Sequence, residues 1–301
     1  MLYLIRYISG CDARAVESRG VTCAFPSGHV FEGAGRQRAS GGAIVNIVPA
    51  LVRSSEEVMP RTFILRLVAD DLASARPGQF VHIRTTPSFD PLLRRPMSIY
   101  LIHQDGVSIL VRDVGRGSGL ISATRPGETI DVMGPLGKPF ELRSEEKNLL
   151  MIGGGYGVAP LLGLARDALN MGSQVTLLVG AGTAPFVFPG DRVPESIHYR
   201  PATVDGTLGH QGLVTELIAE HLDQADCVYA CGPTRMLEAV HTVCSPRPET
   251  RVEVSMEQQM GCAMGVCLGC VIPTSSGYQR VCRDGPVFDS SMVQWGTWSD
   301  L

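Results

Sequence analysis

The chain has 301 residues, of which 44% are hydrophobic and 19% charged, and its length and composition suit a folded protein of about two domains. A formal net charge of -4 and a pI ≈ 6.0 argue against nucleic acid or an anionic membrane surface as the main partner, and no run reaches the ~18 apolar residues of a membrane span. The chain has nine cysteines, an odd number that disfavours a disulfide framework. Its apolar start is short and interrupted by Arg6, so it is a poor signal peptide. We therefore predict a reducing, cytoplasmic compartment.

Residues 1–42 differ from the rest of the chain. They are rich in Gly, Ser, Arg and Ala and have weak hydrophobic periodicity, so we expect a poorly ordered extension. Cys11 and Cys23 fall within it and receive no role.

Residues 43–145 alternate short apolar runs with turn residues. The runs favour strands at 62–68, 79–84, 97–102, 107–111 and 128–132. Breakers such as Pro77-Gly78 and Asp105-Gly106 separate them. Several strands at this spacing predict a small antiparallel barrel.

Two barrel motifs carry residue types that bind dinucleotide phosphates. In Arg95-Pro96-Met97-Ser98 the guanidinium can contact a pyrophosphate in bidentate fashion, and Ser98 adds a hydroxyl. In Gly115-Arg116-Gly117-Ser118 the glycines let the backbone approach a phosphate closely. Each motif by itself is equally compatible with a solvated strand or a flexible turn.

Residues 146–250 alternate strands with helices. The pattern predicts strands at 148–152, 174–179 and 227–230, and helices at 159–170, 213–221 and 234–243. Strands joined by helical crossovers imply a Rossmann-like parallel sheet.

Two glycine-containing turns follow strands of this predicted sheet. Gly153-Gly154-Gly155-Tyr156-Gly157 lies between a strand and a helix, the context of a pyrophosphate-binding loop. Cys231-Gly232-Pro233 ends a later strand at the same edge, where ligands bind in such sheets. Cys227 and Cys244 are typical small core residues.

Four cysteines in the last segment, 251–301, have the most specific spacing in the chain. Cys262, Cys267 and Cys270 read Cys-x4-Cys-x2-Cys, and Cys282 follows after eleven intervening residues. This is the order of plant-type [2Fe–2S] ferredoxins, in which thiolates hold both irons. A structural zinc site is the alternative, although such sites usually have two Cys-x2-Cys pairs.

Taken together, these motifs resemble the ferredoxin–NADP reductase superfamily, in which a flavin barrel precedes a nicotinamide domain. Within this superfamily, the chain resembles the electron-transfer subunits of class 1B dihydroorotate dehydrogenases. The features that carry this resemblance are Pro77-Gly78-Gln79-Phe80-Val81, Asp90-Pro91-Leu92-Leu93-Arg94-Arg95-Pro96, the Cys262–Cys270 loop and Cys282-Arg283-Asp284-Gly285-Pro286-Val287-Phe288. The resemblance covers roughly residues 44 to 295.

The resemblance implies a flavin and iron–sulfur oxidoreductase subunit of pyrimidine (UMP) biosynthesis. It implies FAD held by the barrel motifs, one [2Fe–2S] cluster on the four cysteines, and NAD⁺ as electron acceptor at the glycine turns. It also implies a separate FMN-containing catalytic subunit, in a heterotetramer with two copies of each chain. Electrons from dihydroorotate would pass through the cluster to FAD and then to NAD⁺, with the cluster loop at the subunit interface.

Two departures from the superfamily pattern bear on these expectations. Many members have a Tyr where this chain has Met97, so a ring that stacks on the flavin would have to come from elsewhere. NADP-specific members often have a cation or Ser after the second strand of the nucleotide domain, whereas this chain has Gly180-Ala181-Gly182-Thr183. We therefore expect NAD rather than NADP.

Two other functions remain open at the level of sequence. One is the small subunit of an NAD(P)H-dependent ferredoxin or sulfide oxidoreductase, which shares the barrel, the nucleotide domain and the cluster. The other is a zinc-stabilised nucleotide-binding module without redox turnover. In each case we assign no catalytic acid or base, because Asp226 and Asp284 are isolated carboxylates and hydride transfer depends on geometry.

Overall fold

Residues 46–296, which this computed structural model describes, begin with a barrel of six antiparallel strands. The strands are β1 (Ile47–Met59), β2 (Thr62–Val68), β3 (Phe80–Ile83), β4 (Arg95–His103), β5 (Gly106–Arg112) and β6 (Thr129–Leu136), and helix α1 (Arg116–Ser122) follows β5. They close in the order β1-β2-β5-β4-β3-β6. The predicted extension and its two cysteines lie outside the described residues.

The five predicted barrel strands are present, but β1 was not predicted. Its first half alternates buried and exposed residues, with Val48, Ala50 and Val52 facing the core. Pro49 interrupts the apolar run, and Ser54 to Glu57 make the second half polar, so the sequence pattern of a strand is weak. Pairing with both β2 and β6 stabilises it nonetheless.

The second part of the chain is a seven-stranded sheet. Its strands and helices are β7 (Asn148–Gly154), α2 (Ala159–Asn170), β8 (Gln174–Ala181), β9 (His198–Thr203), β10 (His210–Gln211), α3 (Ala219–Leu222), β11 (Cys227–Cys231), α4 (Thr234–Cys244) and β12 (Arg251–Ser255). The order is β10-β9-β8-β7-β11-β12-β15, parallel except for β15 (Val287–Asp289). This confirms the predicted fold class of an antiparallel barrel and a parallel-sheet domain.

The segment 213–221, predicted as one helix, forms two shorter helical turns of different type. A 3₁₀ turn over Val214–Leu217 comes first, and only Ala219–Leu222 is α-helical. Val214 and Leu217 are both buried, and residues three apart share one face when there are three residues per turn. Helices α2 and α4 agree with their predicted ranges to within one residue.

The cysteine motif lies between the last strands of the sheet. After β12 come the cysteine loop, the hairpin β13 (Val271–Thr274) and β14 (Gly277–Arg280), the one-turn helix α5 (Val281–Asp284), and then β15. Strand β15 returns to the sheet edge beside β12. The sheet therefore holds both ends of the cysteine segment, and the domain boundaries at 145 and 250 stay predictions.

A buried ion pair fixes the connection between barrel and sheet. Arg251 of β12 donates from Nε and Nη2 to the two carboxylate oxygens of Glu146, at 2.9 and 2.7 Å. Its Nη2 also donates to the Glu141 carbonyl, as does the Tyr229 hydroxyl, at 2.8 and 2.6 Å. The connection at 137–147 is thereby held against β11 and β12.

Within the described part of the chain, the helices are all too short or too polar to cross a membrane.

Candidate functional site

A cavity of about 840 Å³ opens where the barrel, the carboxyl edge of the sheet and the cysteine loop meet. The barrel contributes residues of β4, the end of β5 and the loop after it. The sheet contributes Tyr156, Thr234 and the segment after β12, and the cysteine loop contributes Gly269. The lining residues are Phe80, Arg95, Pro96, Met97, Ser98, Leu110, Arg112, Val114, Gly115, Arg116, Gly117, Ser118, Tyr156, Ala159, Thr234, Ser255, Met256, Glu257, Gln258, Gln259, Met260, Gly269 and Pro286.

The two barrel motifs meet on one wall of this cavity. A Cβ on Gly117 would lie 2.5 Å from Arg95 Nε, so only glycine leaves room for the guanidinium. Arg95 Nη1 donates to the Leu93 carbonyl at 2.7 Å. The Ser118 hydroxyl accepts from the Val114 and Gly115 amides at 3.0 and 3.1 Å. These contacts orient the loop and leave the guanidinium in the cavity.

The two glycine turns of the sheet pack against each other at its carboxyl edge. A Cβ on Gly157 would lie 2.5 Å from the Cys231 carbonyl oxygen, and one on Gly154 would lie 2.7 Å from Met236 Sδ. Gly232 has φ +158, close to extended, and a Cβ there would lie 3.0 Å from the Gly154 amide. The predicted residues of these turns are thus brought together, although their neighbours Tyr156, Ala159 and Thr234 form the cavity lining itself.

Glu257 is a cavity residue that the sequence pattern did not single out. It follows β12, so it lies at the same sheet edge as Cys231. Although the residue as a whole is exposed, the loss of solvent around its carboxyl within the cavity raises the pKa of Glu257. The negative charge of Glu257 is the main cause that raises the pKa of Tyr156. Burial is the main cause that raises the pKa of Cys231, and the Glu257 charge is the second. The sequence signal that could have identified Glu257 is its position just after a parallel strand.

Arg112 and Phe186 link the barrel to the sheet beside this cavity. The guanidinium carbon of Arg112 lies 4.8 Å from the centre of the Phe186 ring, a cation–π contact. Arg112 also lowers the pKa of Tyr156, against the larger effect of Glu257. A cation and a carboxylate therefore flank one aromatic hydroxyl within the cavity.

The first three cysteines lie on a tight loop. The Cys262 sulfur accepts from the amides of Met264, Val266 and Cys267 at 3.4, 3.3 and 3.4 Å. Gly265 has φ +79, which favours glycine, while a Cβ on Gly261 would lie 3.3 Å from the Cys267 sulfur. Burial raises the pKa of Cys262, but the three amides outweigh it and lower that pKa to about 6.

The fourth cysteine joins this loop across a hydrogen bond. The Cys282 amide donates to the Cys270 sulfur at 3.4 Å. The pKa of Cys282 is raised to about 12, mainly by burial and secondly by the neighbouring Cys270 thiol. The Cys267 amide likewise donates to the Cys262 sulfur, so backbone hydrogen bonds link the four cysteines in two pairs.

Four thiols in two pairs fit a two-iron cluster, in which each iron takes two thiolates. Within 46–296, no three His, Cys, Asp or Glu side chains are grouped as a site for a single metal ion, and this includes the four cysteines, which are arranged as two pairs.

Comparison with known proteins connects this segment to one family. Residues 257–294 match the model of the iron-sulfur cluster binding domain of dihydroorotate dehydrogenase B. The electron transfer subunit of dihydroorotate dehydrogenase B (NAD(+)) from Geobacillus sp. (strain WCH70) is 43% identical over 224 residues, which are 72% of this chain and 86% of the relative. The subunit of the same name from Desulforamulus reducens is 38% identical over 248 residues, 79% and 94% of the two chains.

Solved structures are similar over most of this chain. A structure described for flavin-based electron bifurcation, the NADH-dependent reduced ferredoxin-NADP oxidoreductase, has a TM-score of 0.74 and 28% identity, over 82% of this chain and 90% of that one. The ferredoxin reductase in carbazole 1,9a-dioxygenase has a TM-score of 0.61 and 21% identity, over 70% of each chain. The second of these supports the fold alone.

Proposed function

The chain belongs to the family of electron transfer subunits of dihydroorotate dehydrogenase B, and from that premise we propose that it carries electrons from dihydroorotate oxidation to NAD⁺ in pyrimidine biosynthesis. The single observation that carries the proposal is the cavity that extends from the Arg95 motif to Gly269, next to Cys270. A flavin in this cavity would lie against the loop of a [2Fe–2S] cluster. That closeness suits electron transfer between the two groups.

Residues of the barrel wall would hold FAD. Arg95 hydrogen-bonds backbone carbonyls, and within 46–296 it pairs with no carboxylate, so its charge is available to a pyrophosphate. The Gly115–Ser118 loop offers close backbone approach beside it, and Ser98 lies along the same wall. When bound, FAD supplies the exchange between single electrons and hydride that links a cluster to a nicotinamide.

Cys262, Cys267, Cys270 and Cys282 would hold the cluster. The amides that donate to the Cys262 sulfur stabilise a thiolate there and would offset the negative charge of the cluster. Binding of iron must displace the proton of Cys282, whose pKa is high without metal. We therefore expect cluster assembly to become less favourable as the pH falls.

The carboxyl edge of β7, β8 and β11 would bind NAD⁺ at Gly153, Gly154, Gly155, Gly157 and Cys231-Gly232-Pro233. Beyond β8 the chain lacks a cation at 180–183, and the Asp205 amide donates to the Gly182 carbonyl at 3.3 Å. Hydrogen bonds from Thr207 lower the pKa of Asp205, which keeps the carboxylate ionised. A negative charge beside Gly182 disfavours a ribose 2′-phosphate, which supports NAD over NADP.

The cysteine loop would face the catalytic subunit. Met264, Val266 and Leu268 on it are exposed by 45%, 76% and 59%. Exposed apolar side chains grouped beside a redox centre suit a protein interface. We propose an FMN-containing dihydroorotate dehydrogenase subunit as the partner, two of each chain in the complex, and a cytoplasmic location.

The small subunit of an NAD(P)H-dependent ferredoxin or sulfide oxidoreductase is the second candidate. The similarity to the ferredoxin-NADP oxidoreductase structure favours it. The higher identity to dihydroorotate dehydrogenase B subunits and the match at 257–294 favour the first. Reconstitution of the chain with each kind of catalytic subunit separates the two.

The first experiment is anaerobic purification followed by FAD, iron and sulfide counts and a visible spectrum. We expect one FAD with two irons and two sulfides per chain, the content of one [2Fe–2S] centre. We also expect NADH oxidation with an artificial acceptor by the chain alone, and dihydroorotate turnover only with the partner. Zinc in place of iron, a chain without flavin, or dihydroorotate turnover by the isolated chain would contradict the proposal.

A further inference from the structure

An ion pair closes the turn that carries the fourth cysteine. Arg280, the last residue of β14, donates from Nε and Nη2 to the two carboxylate oxygens of Asp284, at 2.8 and 3.1 Å. The Arg280 amide donates to the same carboxylate at 2.9 Å. Cys282 lies midway between the two residues, so this three-fold contact fixes the helical turn that presents its thiol.

The same guanidinium reaches the loop of the first three cysteines. Arg280 Nη1 donates to the Gly265 carbonyl at 3.2 Å. Gly265 lies between Cys262 and Cys267, and a Cβ there would meet Cδ of Arg283 at 2.8 Å and of Arg280 at 3.4 Å. The Val281 amide donates to the Cys270 carbonyl at 2.9 Å. Arg280 therefore hydrogen-bonds both to the cysteine loop and to the Cys282 turn.

Hydrogen bonds continue from this turn to the barrel. The Gly285 carbonyl, next to Asp284, accepts from the Lys138 amide at 2.6 Å. Gly137 is the residue before Lys138, and its carbonyl accepts from Gln79 Nε2 at 2.8 Å. Gln79 directly precedes β3. The position of the Asp284 turn is thus defined relative to the barrel wall that lines the cavity.

From these contacts we propose that Arg280 and Asp284 are positioning residues for the cluster: they hold the two halves of its ligand set together and keep a positive charge beside it. The inference rests on the proposed cluster site. The Arg280 guanidinium donates to the Gly265 carbonyl within the cysteine loop, so its positive charge lies beside the proposed ligands. A nearby cation stabilises the more negative, reduced state of a cluster.

The test compares R280Q, R280K and D284N with the unchanged full-length chain, purified anaerobically. The readouts are the rate at which a chelator removes iron and the midpoint potential of the cluster in an EPR-monitored titration. We expect iron loss about tenfold faster in R280Q and D284N, because a charge-assisted contact between the two ligand segments is lost. R280Q should also have a lower potential, and R280K should keep the potential while losing iron faster, because lysine retains the charge without the fork geometry.

The control is R283Q. Arg283 is exposed and, within the described residues, forms no ion pair, so the variant removes the same charge without breaking the link. We expect its iron release to stay close to that of the unchanged chain. Release rates and potentials of R280Q and D284N equal to those of the unchanged chain would overturn the inference; if R280Q does not fold, R280K and D284N decide it by release rate. Absence of iron from the unchanged chain would instead refute the proposed function.

Discussion

Replacement of Arg251 by methionine tests whether the buried ion pair fixes barrel to sheet. The side chains of Arg251 and Glu146 are only 14% and 9% exposed, and Arg251 also pairs with Glu253. Loss of one partner of a buried pair costs about 3–5 kcal/mol, since a carboxylate remains without its cation. For a domain of this size, each kcal/mol lost from the free energy of unfolding lowers Tm by about 2–4 °C. We therefore expect Tm to fall by roughly 6–20 °C.

The assay is thermal unfolding of R251M followed by far-UV circular dichroism. The control is R143Q, which breaks the exposed Arg143–Glu141 pair and should change stability by about 1 kcal/mol or less. A Tm for R251M within 2 °C of the unchanged chain, a threshold of about 1 kcal/mol, would refute the assignment of the pair as a stabilising link.

The pH dependence of R251M gives an independent check. Burial raises the pKa of Glu253, and Arg251 acts against that rise. Without Arg251 the folded-state pKa rises further above the unfolded value of about 4.3, so folding at neutral pH must retain a buried charge or take up a proton. The stability deficit should therefore be largest near pH 7 and shrink as the pH falls toward 5; a constant deficit would show that lost packing, not charge, dominates.

Three further predictions address the proposed cofactor sites. C270S should lose most of the iron and the visible absorption of the cluster while keeping FAD, because one iron then lacks a thiolate; full iron content by chemical assay would exclude Cys270 as a ligand. R95Q should raise the dissociation constant of FAD about 10- to 100-fold, the value of a charge-assisted contact, as measured by flavin fluorescence; unchanged affinity would place the pyrophosphate elsewhere. D205R should raise kcat/KM for NADPH relative to NADH about tenfold in steady-state assays, and no change would refute a role for the Asp205 charge.

Features set by neighbouring residues were predictable from the sequence. The cysteine spacing at 262–282 needs only a short stretch of chain, so it indicated a cluster before any fold was known. Helix α2 was placed correctly because an apolar face of 3.6-residue period follows a glycine turn. Local pattern was misleading at β1, where pairing with two distant strands compensates for a weak signal.

What the tertiary structure decided depends on contacts between residues far apart in the chain. Glu257 and Tyr156 line one cavity because parallel strands bring their carboxyl ends to one edge of the sheet. The cavity joins Arg95 to Gly269 across more than half of the chain, and no local spacing encodes that distance. Arg280 had no sequence signal as a partner of Gly265, since its role arises from a hairpin that folds back onto the cysteine loop. Sequence by itself determined which chemical groups are available, and the packing of the barrel, the sheet and the cysteine loop determined which of them meet.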